Sequence, residues 1–320
     1  MKAARVSAYG PPSVIRLTEV PIPSPGPGQV RVRILATPVT AGDVRLRSGQ
    51  VPPGMGLLLR AAIGWRRPRV APGWGLAGEV DALGAGVTGL VPGQRVMGIA
   101  GFKGGAHAEY ICLAADRLLP LPDSLSLEEG AAFFFGGLTA QYFLQDKAHL
   151  QPGESVLVLG ATGAVGSAAI QIARHLGARV TAVASTANHD LARSLGAEAV
   201  QDYRNGLPKG RFDVILDIMG TLGWPAARPL LAPGGRLCLI TASLGANLGA
   251  TLRARRGDIS LIAGTSSEAR AAMERLVALH RAGGYRPVIG QVLPFDQIAR
   301  AHEMAGGFHK PGNLVLTLQP

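Results

Sequence analysis

Polar and apolar positions alternate with a period of two in Arg31-Val32-Arg33-Ile34-Leu35, the pattern of a strand with one face buried. This run follows Pro21–Gly28, whose density of proline and glycine predicts loop. Gly78–Val87, Arg95–Ile99 and Ala108–Leu113 repeat the strand-and-turn theme. The first half of the chain therefore reads as an irregular β-barrel with few helices.

The pattern changes after Leu121. Ser126 and Glu129 have the spacing of a capping box, which predicts a helix through Ala131–Phe135. A further helix is predicted over Leu138–Leu144. Ser155-Val156-Leu157-Val158-Leu159 is a near-continuous apolar run, as expected of a central parallel strand. A glycine-rich turn, a helix over Ser167–Leu176 and a stop at Gly177 follow. Arg179–Ala184, Ala199-Val200, Asp213–Leu216 and Arg236–Thr241 read as further strands, with a short helix at Leu191–Leu195. Strands alternating with helices predict a doubly wound parallel sheet, so the fold class is α/β. A helix at Ala269–His280 and strands at Val288–Leu293 and Asn313–Leu318 close the chain.

Composition narrows the function. The 320 residues are 47% apolar and 17% charged, enough for two domains, or one large one, with packed cores. Two cysteines, Cys112 and Cys238, exclude a disulfide framework and a four-thiolate zinc site. No apolar run is long enough to span a membrane, and the opening residues lack the apolar core of a secretion signal. The cytoplasm is the expected compartment. The net charge of +11 comes from 27 arginines and 5 lysines against 21 acids. Only Arg60–Arg69 and Arg253–Arg256 cluster, so no nucleic-acid partner is expected. Val51–Arg69 is apolar and then basic, which fits a flap over a cleft or, alternatively, a membrane-surface segment.

The chemistry concentrates in Gly160-Ala161-Thr162-Gly163-Ala164-Val165-Gly166. This turn joins an apolar strand to an amphipathic helix, with a second strand about twenty residues on. Glycine permits the sharp turn and the close approach of a pyrophosphate, and the helix N-terminus offers free N–H groups to that anion. The end of the second strand selects the dinucleotide. Ser185, Thr186 and Asn188 stand there with no acid before Asp190. A carboxylate would repel a 2′-phosphate, whereas hydroxyls and an amide bond it, so NADP(H) is the expected cofactor. Tyr203, closing the third strand, is placed beside the same spot.

Several stretches together resemble the medium-chain dehydrogenase/reductase superfamily, and within it the zinc-free quinone oxidoreductases, including the relatives of reticulon-4-interacting protein and of the chloroplast-envelope quinone oxidoreductase homologue. They are Val39–Gly49, Gly78–Val80 through Gly93–Val96, Gly105–Tyr110, Gly136–Ala140, the glycine turn, and Leu195–Ala197 through Asp202-Tyr203. The resemblance implies a GroES-like β-barrel catalytic domain (1–122 and 257–320) and a Rossmann dinucleotide-binding domain (123–256). Positions that hold catalytic zinc ligands in zinc-dependent members carry Thr40, Trp74 with Gly75, and Phe135. None is a suitable donor, and Met97–His107 is too short for the four-cysteine lobe. The implied activity is NADPH-dependent, metal-independent hydride transfer to an activated C=C bond (an enone) or to a quinone, whose own carbonyl spreads the arriving charge. A zinc-free alcohol dehydrogenase or ketone reductase and a weakly catalytic, membrane-peripheral cofactor-binding protein are the alternatives.

By the resemblance, Thr162, Ala164 and Val165 line the pyrophosphate turn, and Ser185 and Tyr203 meet the 2′-phosphate. Thr241 and Ser243 flank the nicotinamide, and Lys310 and Asn313 belong to a tail motif, residues 308–313, that reaches back to the phosphate. Thr40 is the candidate donor to a substrate oxygen, and Asp43 and Arg47 read as a structural pair. Trp74 and Phe133–Phe135 read as core before substrate wall. A homodimer is implied by analogy.

Overall fold

The chain opens on a hairpin, β1 (Lys2–Val6) against β2 (Ile15–Glu19). The structure, a computed structural model, describes residues 1–243, 245, 259–307 and 310–318. Arg253–Arg256, Phe308, His309 and the expected boundary between 256 and 257 lie outside the described residues. The alternating run at Arg31–Leu35 is the middle of a long strand, β3 (Gln29–Val39). Val30, Val32 and Ile34 are buried, while the intervening Arg31 and Arg33 pair with Asp81 at 2.5 Å and Glu79 at 2.6 Å. Two short helices follow, α1 (Ala41–Ser48) and α2 (Gly56–Ile63). Then come β4 (Gly75–Leu83), β5 (Arg95–Ile99), β6 (Tyr110–Ala114) and β7 (Leu118–Pro120).

The capping box is formed: Ser126 Oγ accepts from the Glu129 N–H, and Glu129 accepts from the Ser126 N–H at 2.9 Å. It starts α3 (Leu127–Gln141), which runs on through a wider π-helical turn at Tyr142–Lys147. The two helices expected here are thus one. Gly136 lies within it, where a Cβ would lie 2.3 Å from the Ala164 carbonyl oxygen. Its glycine lets α3 press against the helix that follows the glycine turn.

The second half builds β8 (Ser155–Leu159), α4 (Ala164–His175), β9 (Arg179–Ala184), α5 (His189–Ser194), β10 (Ala199–Asp202), β11 (Phe212–Asp217), α6 (Trp224–Ala227), β12 (Leu231–Leu239) and β13 (Ser260–Ala263). All its strand pairs are parallel, in the order β10-β9-β8-β11-β12-β13. The order reverses at β8, which puts the crevice for a ligand at that strand's carboxyl end. β13 pairs with β12, so the parallel sheet continues past the boundary expected at 257. The tail consists of α7 (Arg270–Arg281), β14 (Ile289–Pro294), α8 (Ile298–Gly306) and β15 (Asn313–Thr317). β14 and β15 return to the first half and complete the sheet β14-β15-β3-β4-β5-β7, with β6 also on β3. The architecture is α/β, a β-rich half and a doubly wound parallel half.

Fully buried Phe133 and Phe134 on α3 pack with Val156 and Val158 of β8 and Ile170 and Ile172 of α4. This core fixes the glycine turn from below. Phe133 and Phe134 are therefore core, whereas Phe135 faces a cavity. Cys238 is buried, its thiol pushed up to about 12 by burial, as suits an inert small hydrophobe.

Candidate functional site

β8 ends at Leu159, and the chain turns through Gly160 at φ +78°, a conformation that favours glycine. The other two glycines do different work. A Cβ on Gly166 would lie 2.2 Å from the Gly160 carbonyl oxygen, so α4 packs on the turn only with glycine there. A Cβ on Gly163 would meet nothing nearer than 3.7 Å. The space before Gly163 is open, and α4 begins there without a side-chain cap or an acid in its first turn. The N–H groups of its first turn and its dipole favour an anion at this point.

Two cavities meet at the turn. One, of about 570 Å³, runs past Val183, Ser185, Asn188, Tyr203 and Leu207. The other, of about 280 Å³, lies toward the β-rich half and is lined by Thr40, Phe135, Ala164, Val165, Thr241 and Asn313. Gly160, Gly163, Met219 and Lys310 border both. A third and larger cavity, about 1030 Å³, adjoins the second and shares Arg45, Met219 and Thr241 with it. Val51, Pro52 and Pro53 rim this third space, at the start of the segment expected to form a flap.

The tail is tied to the turn. The Gly312 N–H donates to the Thr162 carbonyl at 2.7 Å, and Asn313 Nδ2 donates to the Val288 carbonyl at 3.0 Å. Lys310 is thereby delivered between the first two cavities. Its Nζ donates to the Gly312 carbonyl at 3.3 Å, and among the described residues it has no carboxylate partner. Burial pushes its pKa down to about 8.

At the far end, Ser185 Oγ accepts from Asn188 Nδ2 at 3.1 Å, and both residues line the cavity with Tyr203. Thr186 does not line it. Its N–H and hydroxyl both donate to Asp202 Oδ2, at 2.8 and 2.5 Å, because β10 sets Asp202 opposite Ala184. The Thr186 hydroxyl in turn holds the Asp202 carboxyl at about 2. The expectation that Thr186 meets a phosphate is not met in this arrangement, where Asp202 holds both its N–H and its hydroxyl proton. A cation absent after β9 stands instead after β10: the Arg204 guanidinium lies 5.6 Å over the Tyr203 ring.

Thr40 borders the second cavity, but its hydroxyl donates to Asp43 Oδ2 at 2.6 Å and accepts from the Asp43 N–H. It is the N-cap of α1. Its single proton is committed to Asp43, so the donor role expected for Thr40 is not available in this arrangement. The expected Asp43–Arg47 pair is likewise not formed. Asp43 accepts instead from Thr40 and from the Gly73 N–H at 2.7 Å, and Arg47 donates to the Gly10 carbonyl. Thr241 Oγ1 donates to the Ile218 carbonyl at 2.9 Å and accepts from the Arg45 guanidinium at 3.0 Å. Ser243 lines the third cavity.

Three residues that sequence reasoning passed over organise the site. Asp217 is fully buried and accepts from the N–H groups of Gly220, Thr221 and Leu222 at 2.8, 3.3 and 2.8 Å. It holds the loop that places Met219 against all three cavities. Its own pKa is raised by burial. Arg45, inside the quoted stretch Val39–Gly49, is the cation between the second and third cavities.

Residues 26–123 match the family model described as the alcohol dehydrogenase GroES-like domain, and residues 195–316 that described as zinc-binding dehydrogenase. Quinone oxidoreductase of Sus scrofa is 32% identical over 318 residues, 95% of this chain and 93% of its own. The structure is similar to the quinone oxidoreductase from Coxiella burnetii, with a TM-score of 0.87 at 25% identity over 100% and 99% of the two chains. It is also similar to the quinone oxidoreductase from Thermus thermophilus, solved alone and with NADPH, with a TM-score of 0.78 at 30% identity over 99% and 100%. A GroES-like half joined to a doubly wound dinucleotide-type sheet defines an oxidoreductase of the medium-chain dehydrogenase/reductase superfamily. Within that superfamily the chain belongs to the zinc-free quinone oxidoreductase group.

The "zinc-binding" description of the second model does not transfer to the residues present. Thr40 is engaged as a helix cap, and Phe135 offers carbon only. Among the described residues no three of His, Cys, Asp and Glu come together as a metal site. No described helix is long and apolar enough to cross a membrane.

Proposed function

We propose that the protein is an NADPH-dependent reductase of quinones or conjugated enones. The observation that carries the reading is the pair of cavities meeting at Gly160 and Gly163 with Lys310 between them. Their residues fit a dinucleotide. The open face of Gly163 and the N-terminus of α4, which has no side-chain cap, suit a pyrophosphate, with Lys310 as its counter-charge. Ser185, Asn188 and Tyr203 suit the adenosine end and a 2′-phosphate, with Arg204 nearby. The smaller cavity suits a nicotinamide, against Val165, Thr241 and Phe135. The solved Thermus thermophilus relative in complex with NADPH supports the choice of cofactor.

Bound reduced nicotinamide would supply the hydride. The chain's own part is to bind, orient and exclude water. Apolar Phe135, Ile218, Met219 and Ile240 keep the second cavity dry. Arg45 is the donor positioned to face an acceptor oxygen entering from the third cavity. On this reading the catalytic domain is residues 1–122 with the tail strands β14 and β15, and the dinucleotide domain lies between.

Mixing the protein with NADPH and 1,4-naphthoquinone or a small enone should bleach absorbance at 340 nm. Alcohol-dependent NADP reduction with no turnover of such acceptors would favour the alcohol dehydrogenase alternative. Sedimentation with anionic liposomes tests the membrane-peripheral one.

A further inference from the structure

Arg45 carries a charge in a place that gives it little to neutralise it. Burial lowers its pKa, and no opposing charge among the described residues contributes. Among the described residues it forms no ion pair, and its hydrogen bond is to the neutral hydroxyl of Thr241. A guanidinium has five N–H donors, so most remain free for a ligand. Thr241 holds one end at 3.0 Å and is itself fixed on the Ile218 carbonyl. The side chain is thus braced on the wall between the second and third cavities. On the third cavity's side, Arg47 adds a second guanidinium, with its Nε buried and unpaired. The acids lining that cavity, Asp217 and Glu303, form no ion pair with Arg45 or Arg47 among the described residues. A half-buried cation without a partner is costly, and a bidentate carboxylate is the group that best relieves it.

We infer that Arg45 selects acceptors that carry a carboxylate near the reducible double bond, entering through the third cavity. The inference rests on the reductase reading above and specifies its substrate class. At about 1030 Å³ the third cavity has room for a substituted acceptor and its carboxylate.

The test uses one carbon skeleton in two charge states, trans-4-oxo-2-pentenoate and its methyl ester, each with NADPH. The readout is the ratio of kcat/KM for acid over ester in wild type, Arg45→Met and Arg45→Lys. Intrinsic reactivity differs between acid and ester but cancels when ratios are compared between proteins. The ratio should fall at least tenfold in Arg45→Met and less in Arg45→Lys, with NADPH affinity by fluorescence titration held within twofold. Circular dichroism melts establish that both variants fold. A ratio that stays within twofold in folded Arg45→Met overturns the inference. So does a loss of NADPH affinity with an unchanged ratio, since Arg45 would then serve the coenzyme. Wild type that reduces neither compound nor 1,4-naphthoquinone would end the reductase reading itself, and this inference with it.

Discussion

Two alanine substitutions three residues apart separate packing from coenzyme binding. At Gly166 a Cβ would lie 2.2 Å from the Gly160 carbonyl oxygen and 2.6 Å from the Ala161 carbonyl carbon. These are backbone atoms of a turn fixed by the core, so the helix and the turn must part. Overpacking of this kind costs about 1–3 kcal/mol. At Gly163 a Cβ meets nothing within 3.7 Å, and φ −74° with ψ −179° is extended backbone open to alanine. Alanine at an N-cap loses a few tenths to about 1 kcal/mol, and the lower entropy of the unfolded chain returns about as much. Gly163→Ala should therefore hold its stability within about 1 kcal/mol. On the proposed placement, however, its methyl stands where the pyrophosphate approaches. Losing charge-assisted hydrogen bonds there costs about 1.5–3 kcal/mol, or roughly 10- to 150-fold in Kd. Urea unfolding without coenzyme and NADPH fluorescence titration read the two effects separately. Gly163→Ala that binds NADPH as wild type does would refute the placement of the dinucleotide.

Lys310→Met should weaken NADPH binding by about 1.5–3 kcal/mol. On the proposed placement the protonated amine binds phosphate, and burial brings its pKa to about 8 without coenzyme, so affinity should be highest below pH 8 and fall as pH rises through it; Lys310→Met should lack that fall. NADPH should bind more tightly than NADH, and equal affinities would remove the roles given to Ser185 and Tyr203. Asp217→Ala strands three N–H groups and should cost about 3 kcal/mol or more in urea unfolding; a loss below about 1 kcal/mol would show that the loop holds itself.

Elements whose signal is local were legible in the sequence. β5, β8 and β9 fall on the predicted residues because each is a short apolar run bounded by turn residues. The Ser126–Glu129 capping box marked the start of α3 for the same reason. β13 was missed: its four residues open on an exposed Ser260 and acquire strand character only by pairing with β12. At the site, the sharp turn at Gly160 followed from context, while the polar residues did not all keep the places expected of them. Thr40 and Asp43 satisfy a helix cap, and Thr186 is taken by an acid sixteen residues on. Arg45 could not be singled out, because its partner Thr241 lies 196 positions away.

The most direct measurement follows a single atom. The protein is supplied with NADPH deuterated at C4 on the transferred face and with an enone acceptor, and the product is examined by NMR and mass spectrometry. One deuterium on the β-carbon of the saturated product is the predicted result. Product bearing only solvent hydrogen at that carbon, or no product with either face labelled, would contradict hydride delivery from a dinucleotide held at Gly160–Gly166.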